Sequence, residues 1–192
     1  MTLHQKRTAS TLVLTRMFTQ ISAEMLFSLP ICVIMGATIA LMIREVYHMI
    51  DRSRKYWYGD CADDIDEFLK EYTEEADLDI KPVVCNACGS EALIMRIDSN
   101  EEAIQIKCPK CGEKKILLDC RDIWEEAKPR LRKCVVCKTS KEHNVKVGFI
   151  RRENGDAEWV YIGSRCTNCG VLASYLDWHI NYSPTDEMER NI

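Results

Sequence analysis

The sequence lacks the short motifs that mark several large classes of enzyme. It contains no glycine-rich phosphate-binding loop, no Gly-x-Ser-x-Gly and no His-Glu-x-x-His. It also has no excess of basic residues, because 26 lysines and arginines stand against 30 acidic residues and the formal net charge is −4. That balance excludes a protein that is basic throughout, such as a histone-like coat on DNA. We therefore expect a protein without catalytic activity.

Cysteine is the residue type that stands out, with 11 in a chain of 192 residues. Eight of these cysteines form four Cys-x-x-Cys pairs: Cys85 and Cys88, Cys108 and Cys111, Cys134 and Cys137, Cys166 and Cys169. Metal-binding turns repeat this spacing because the tight turn points both sulfurs at one ion. Glycine follows three of the pairs directly, and glycine permits the positive φ that such a turn needs.

The intervals between the pairs indicate how the pairs are grouped. The first and second pairs are separated by 19 residues, and the third and fourth by 28. Both intervals alternate apolar and polar residues around a turn, as β-hairpins do, and the second contains an Asn-Gly turn signal. The pattern predicts four strands: 92–97, 103–107, 144–151 and 157–162.

A cysteine turn, a hairpin and a second cysteine turn resemble a zinc ribbon of the rubredoxin-like knuckle fold group. The resemblance covers about residues 81–120 and 130–180, with Cys-Pro-Lys-Cys-Gly at 108–112 and Cys-Thr-Asn-Cys-Gly at 166–170 as typical second knuckles. It implies two tandem ribbons, each holding one Zn²⁺ through four thiolates, and no functional residues beyond those ligands. The expected metal ligands are Cys85, Cys88, Cys108, Cys111, Cys134, Cys137, Cys166 and Cys169.

Two alternatives to this interpretation remain open. Iron fits the same set of four sulfurs and would make the protein an electron carrier. A cross-braced arrangement would group the first pair with the third and the second with the fourth. It is less favoured, because 22 residues separate Cys111 from Cys134 and His143 does not fall at a knuckle position.

An uncharged run of 19 residues, 25–43, predicts a transmembrane helix. At 1.5 Å per residue it would extend for about 28 Å, close to the thickness of a bilayer core. A cleaved signal peptide and a buried helix are the competing interpretations. Because zinc-binding thiols need a reducing compartment, we expect a single-pass membrane protein with its ribbons on the cytosolic side. An organellar inner membrane with the ribbons inside is the alternative.

The chain becomes strongly acidic beyond this run. Residues 60–79 hold ten acidic residues against one lysine, with apolar residues at helical spacing, and this predicts an acidic amphipathic helix. The predicted fold class is therefore α+β small modules, with one transmembrane helix, an acidic amphipathic helix and two tandem β-hairpin zinc ribbons. The expected divisions begin with a basic tail (1–22), the membrane helix with its extension (23–50) and a juxtamembrane and acidic helix (51–80). The first ribbon (81–120), a linker (121–133), the second ribbon (134–182) and a flexible tail (183–192) follow.

These observations favour a non-enzymatic, membrane-anchored protein that acts as a structural or docking subunit of a membrane-associated complex. Its expected partners are the lipid bilayer and one or more proteins. Nucleic acid is a less favoured partner, which would be bound by cations and aromatic residues of the second hairpin: Phe149, Arg151, Arg152, Trp159 and Tyr161. A rubredoxin-like electron carrier is the third alternative.

Overall fold

Antiparallel strand pairing dominates the part of the protein that the structure describes. A computed structural model describes residues 50–192. Eight strands lie in one sheet: β1 (Asp79–Val83), β2 (Leu93–Asp98), β3 (Ala103–Lys107), β4 (Lys114–Ile116), β5 (Arg130–Leu131), β6 (Glu142–Arg151), β7 (Ala157–Cys166) and β8 (Leu172–His179). Two helices accompany them: α1 (Asp64–Thr73) and α2 (Asp186–Glu189).

The two hairpins expected from the sequence are present as β2–β3 and β6–β7. All four strands predicted from alternation are found, and the last of them continues to Cys166. The strands follow the order β4-β3-β2-β6-β7-β8, while β1 pairs with β6 and β5 pairs with β2. Turn residues that permit a left-handed backbone close the second hairpin, where Gly155 has a φ of 89°.

The predicted fold class is wrong, because the hairpins do not form separate α+β modules. Leu93 and Ile94 at the start of β2 pair with His143 and Glu142 at the start of β6, so both hairpins belong to one continuous antiparallel sheet. The acidic stretch at 60–79 is helical only in α1, and the chain becomes strand β1 from Asp79 onward. The described fold is mainly antiparallel sheet with two short helices.

The prediction of a single-pass membrane protein is corrected as well. Within residues 50–192, no helix is both long and apolar enough to cross a bilayer, and the longer of the two helices there has 10 residues. The apolar run at 25–43 on which that prediction depended lies outside the described residues, as does the basic tail at 1–22.

Helix α1 packs its apolar stripe across one face of the sheet. Ile65 and Leu69 are fully buried, and both lie over glycines of the central strands. A Cβ atom placed on Gly163 would lie 2.7 Å from Ile65 Cγ2 and 2.7 Å from Leu69 Cδ1, and one on Gly148 would lie 3.4 Å from Leu69 Cδ1. The two glycines therefore create the space in which the helix sits. We call this face of β6, β7 and β8 the helix face.

The main hydrophobic core lies on the opposite face of the sheet. Side chains from β2, β3, β6, β7 and β8 meet there with the loop after β4. Its largest fully buried members are Phe149, Leu93, Met95, Ile104, Leu117, Leu118, Ile162 and Ile180. Burial of each such side chain contributes about 1.5–3 kcal/mol relative to exposure.

The C-terminal segment, expected to be a flexible tail, is docked on the sheet. Thr185 and Met188 are buried, and the hydroxyl of Thr185 accepts a hydrogen bond from the backbone N–H of Ala157 at 2.9 Å. The carboxylate of Glu189 binds Arg151 at 2.7 Å and Lys81 at 2.6 Å. Ion pairs to two strands therefore hold α2 in place.

Replacement of Glu189 by glutamine should destabilise the protein at neutral pH. Hydrogen bonding by Arg151 and by Lys81 lowers the pKa of Glu189 from its ordinary 4.5 to about 2. A carboxyl group with a lowered folded-state pKa stabilises the fold above its ordinary pKa, and the effect is lost as the pH falls toward 2. We expect Glu189→Gln to cost about 1–2 kcal/mol at pH 7, after allowance for solvent screening.

Denaturant unfolding of both metal-loaded chains at pH 7, where the cysteine ligands keep their metal, measures this difference. Glu187→Gln is the matched control, since Glu187 is exposed on the same helix. An equal cost for the two substitutions at pH 7 would show that the ion pairs do not anchor α2.

Candidate metal centres

The first two cysteine pairs come together at one end of the first hairpin. The pair after β1 supplies Cys85 and Cys88, and the pair between β3 and β4 supplies Cys108 and Cys111. The Sγ atoms of Cys85 and Cys111 are 3.4 Å apart, and those of Cys88 and Cys108 are 3.5 Å apart. All four sulfurs lie within 4.8 Å of one another. We call this group the first cluster.

The third and fourth pairs form an equivalent second cluster. Cys134 and Cys137 lie between β5 and β6, whereas Cys166 ends β7 and Cys169 lies in the turn before β8. The Cys134 and Cys169 sulfurs are 3.5 Å apart, and the Cys137 and Cys166 sulfurs are 3.9 Å apart. The cysteines are thus grouped first with second and third with fourth, and the cross-braced alternative is not what the structure shows.

The spacing of the sulfurs fits a tetrahedral metal ion. Four thiolates at about 2.3 Å from a central ion place their sulfurs about 3.8 Å apart. The four shortest contacts quoted above are 3.4 to 3.9 Å, and within each cluster all four sulfurs lie within 4.8 Å of one another. A disulfide would need about 2.0 Å, and all eight cysteines are free thiols. Zinc and iron both accept this set of ligands, so the geometry supports a metal ion without identifying it.

All four turns share one backbone design. The N–H four residues after the first cysteine donates to the carbonyl of that cysteine, at 2.7 to 3.1 Å. The donors have a positive φ in every case: Gly89 at 68°, Gly112 at 83°, Lys138 at 59° and Gly170 at 76°. Three are the glycines noted in the sequence, and Lys138 adopts the same left-handed conformation despite its side chain.

Backbone N–H groups within these turns point at the sulfurs and favour thiolate. The N–H of Cys111 and then that of Lys110 lower the pKa of Cys108 to about 6, against the effect of burial. In the second cluster, hydrogen bonds from Ser140 and Thr139 lower the pKa of Cys137 to about 5. Each cluster therefore holds one sulfur that is prepared to be an anion, as a metal ligand must be.

Another cysteine in each cluster has a raised pKa instead, which favours the neutral thiol. The N–H of Glu113 favours the Cys111 thiolate, but sharing of hydrogen bonds with Cys85 and burial raise its pKa to about 12. Burial, followed by hydrogen bonding with Cys134, raises the pKa of Cys169 to about 12. Four negative sulfurs this close repel one another, so the protein alone cannot ionise all of them. A dication in the centre would relieve that repulsion.

One supporting group beside the second cluster was not visible in the sequence. Tyr175 of β8 lies with its ring 6.0 Å from that of His143 and 4.9 Å from the guanidinium of Arg132. Burial, and then the negative charge expected on Cys134, raises the pKa of the tyrosine to about 12. The three residues come from three separate strands or turns, so no local pattern could have grouped them. His143 pairs across the sheet with Cys166, and none of the three is one of the four ligand positions.

The turn glycines make a test of how tightly the second cluster is packed. A Cβ atom on Gly170 would lie 2.6 Å from the carbonyl oxygen of Gly59, whereas one on Gly112 would meet nothing within 4 Å. Both positions have a positive φ, so alanine should cost about 1–2 kcal/mol at either one from backbone strain. Gly170→Ala should cost a further ~1–3 kcal/mol, because its Cβ atom would clash with the carbonyl oxygen of Gly59.

Denaturant unfolding of the metal-loaded variants, with Gly112→Ala as the control, measures both costs. Gly170→Ala should unfold at a clearly lower denaturant concentration than Gly112→Ala. Equal midpoints would mean that the segment containing Gly59 does not pack on the fourth turn.

Comparison with protein-family models, with curated proteins and with solved structures gave no match. The geometry of the clusters is therefore what defines the site. Two groups of four cysteines, at Cys85 to Cys111 and at Cys134 to Cys169, each joined to a β-hairpin, are consistent with tandem zinc-ribbon-like modules.

Proposed function

We propose that this chain binds two zinc ions, one in each cysteine cluster, and that the ions hold the fold together. The observation that carries the proposal is the pair of four-sulfur groups with near-tetrahedral spacing. An ion with four thiolate ligands has no open position for water or substrate. The two sites are accordingly structural, and we propose a non-enzymatic role for the protein.

The positions of the clusters support a structural role. Each cluster joins the two ends of a hairpin to the next strand, where the backbone would otherwise be held by turns alone. The first cysteine of every pair is buried, with Cys134 and Cys166 fully so. Around the second cluster the apolar core is small, because only Val171 and those two cysteines are buried there. A metal ion would supply the stabilisation that this core lacks.

A docking role is the function that we propose for the folded chain. Metal ions with four thiolate ligands have no free position at which to bind another molecule. The exposed surface on the helix face of the sheet is therefore the part of the fold that we propose to bind a partner. Nucleic acid is the weaker candidate, because the residues nominated for it do not form a cationic surface. Phe149 is fully buried, and Arg151 is occupied by Asp79 and Glu189.

Elemental analysis of the purified chain tests the zinc proposal. We expect two zinc ions per chain and, for Cys111→Ser, one. Cys111 is exposed, so its replacement removes a ligand with little loss of packing. Loss of that ion should lower the free energy of unfolding by several kcal/mol, since apparent zinc-binding free energies in zinc-finger peptides are about 10–16 kcal/mol.

Cys61→Ser is the control, because Cys61 lies outside both clusters and its variant should retain two ions. A wild-type chain without tightly bound metal, or a Cys111→Ser chain with undiminished metal content, would refute the proposal. Red protein containing iron would keep the sites and replace zinc as their metal.

A further inference from the structure

Helix α1 covers only part of the helix face. Starting from Tyr72 in the last turn of α1, four aromatic rings follow one another toward the edge of the sheet. Ring centroids are 6.5 Å apart from Tyr72 to Tyr161, 6.4 Å from Tyr161 to Trp159, and 5.4 Å from Trp159 to His179. We call these four residues the aromatic strip. Tyr72 is 53% exposed, His179 is exposed, and the other two are half-buried.

The aromatic strip borders a strand edge that is open within the described residues. Strand β8 is the last in the sheet order and pairs only with β7 there. At its start, the N–H of Leu172 donates to the carbonyl of Trp57 at 2.8 Å, and Tyr58 forms a bridge with Val171. No strand among residues 50–192 continues that pairing along 174–179. Open edges of this length are normally covered in native proteins.

The backbone groups that face outward on this edge belong to two residues beside the strip. The N–H of Ile180 donates to the carbonyl of Glu158, so its backbone points toward β7, and alternation gives the same direction to Trp178. The N–H and C=O groups of Asp177 and His179 therefore point away from the sheet. An extended segment that paired with them would place every second side chain on the helix face, beside the His179 end of the aromatic strip.

Charge around the strip is negative. Asp177 is exposed and accepts a hydrogen bond from Trp159 Nε1 at 3.3 Å. Burial raises the pKa of Tyr161, and the nearby charges of Asp177 and Glu75 act in the same direction. Residues 174–179 themselves contain no lysine or arginine. Phosphate groups would be repelled here, whereas cations would be attracted both to the acids and to the ring faces.

Two cations near this face are paired with acidic side chains of α1 or its N-terminal flank. Lys146 lies 2.6 Å from Asp66 and 3.2 Å from Asp63. Arg52 binds Glu67 at 2.6 Å and also pairs with Glu71. Asp177 and Glu75 are the acidic charges beside the strip, and Arg152, which donates to the carbonyls of Ile180 and Tyr182, is a cation just past the end of β8.

We propose that the aromatic strip and the edge of β8 bind an extended, lysine- or arginine-bearing segment of a partner protein, which adds to the sheet as a further strand. Backbone hydrogen bonds to Asp177 and His179 give the attachment, and alternate cationic side chains over the rings give the specificity. The inference rests on the proposed docking role and specifies its partner. A second copy of the chain is the competing occupant, because two β8 edges could pair antiparallel, and the test below separates the two.

The test uses the full-length, metal-loaded chain and a fluorescent peptide of four Thr-Lys repeats, followed by fluorescence anisotropy. A Thr-Glu peptide of the same length controls for charge. A Thr-Lys peptide that is N-methylated at every second residue controls for strand pairing, because it cannot donate its hydrogen bonds along one edge. We expect binding of the first peptide only, weakened by salt.

Substitutions then locate the site. Asp177→Lys and Trp159→Ala should each weaken binding of the Thr-Lys peptide by about tenfold. Glu101→Lys is the matched control for Asp177→Lys, since it makes the same charge change at the exposed tip of the first hairpin. It should leave the affinity within about twofold of wild type.

Several results would overturn this proposal. They are equal binding of the Thr-Lys and Thr-Glu peptides, full binding of the N-methylated peptide, or equal effects of Asp177→Lys and Glu101→Lys. Concentration-dependent dimerisation that competes with binding of the Thr-Lys peptide would identify a second copy as the occupant instead. A protein partner that co-purifies equally with wild type and Asp177→Lys would leave the docking role standing and exclude this surface. If no protein co-purifies with the wild-type chain, the docking role itself is refuted.

Discussion

The approach of eight sulfurs in two groups of four is the constraint on which the described structure depends. Each group joins segments far apart in sequence, as Cys85 and Cys111 or Cys134 and Cys169 show. Mutual repulsion of four thiolates opposes that approach, and the backbone N–H groups of the turns offset it only in part. We propose that a bound dication completes the balance, which would make metal binding and folding one process.

The rest of the fold follows from where the clusters place the strands. Once the turns are fixed, β2 and β6 start side by side and the two hairpins become a single sheet. Gly148 and Gly163 then leave room for α1 on one face, and the main core fills the other. The helix stops at Thr73, so the sheet beyond it is left with an aromatic surface beside an open edge. The surface that we assign to partner binding is thus a consequence of how the sheet is assembled.

Local patterns predicted the parts of this structure that depend on neighbouring residues. Cys-x-x-Cys spacing, alternation and turn glycines were enough to find the ligand groups and four strands. Pairing of Leu93 with His143 joins residues 50 positions apart, and no periodicity encodes it. The polar C-terminal sequence resembles a frayed tail, yet Glu189 docks through Arg151 and Lys81, which lie on other strands. The membrane prediction failed differently, because it depended on residues outside the described part and on one apolar run.

Replacement of the bound metal by cobalt tests the central claim most directly, because the absorption spectrum of Co²⁺ reports both the number and the type of its ligands. The account predicts two Co²⁺ ions per chain with the spectrum of a tetrahedral, all-thiolate site, each displaced by one equivalent of zinc. Fewer than two tightly bound ions, or a spectrum showing oxygen or nitrogen ligands, would contradict it.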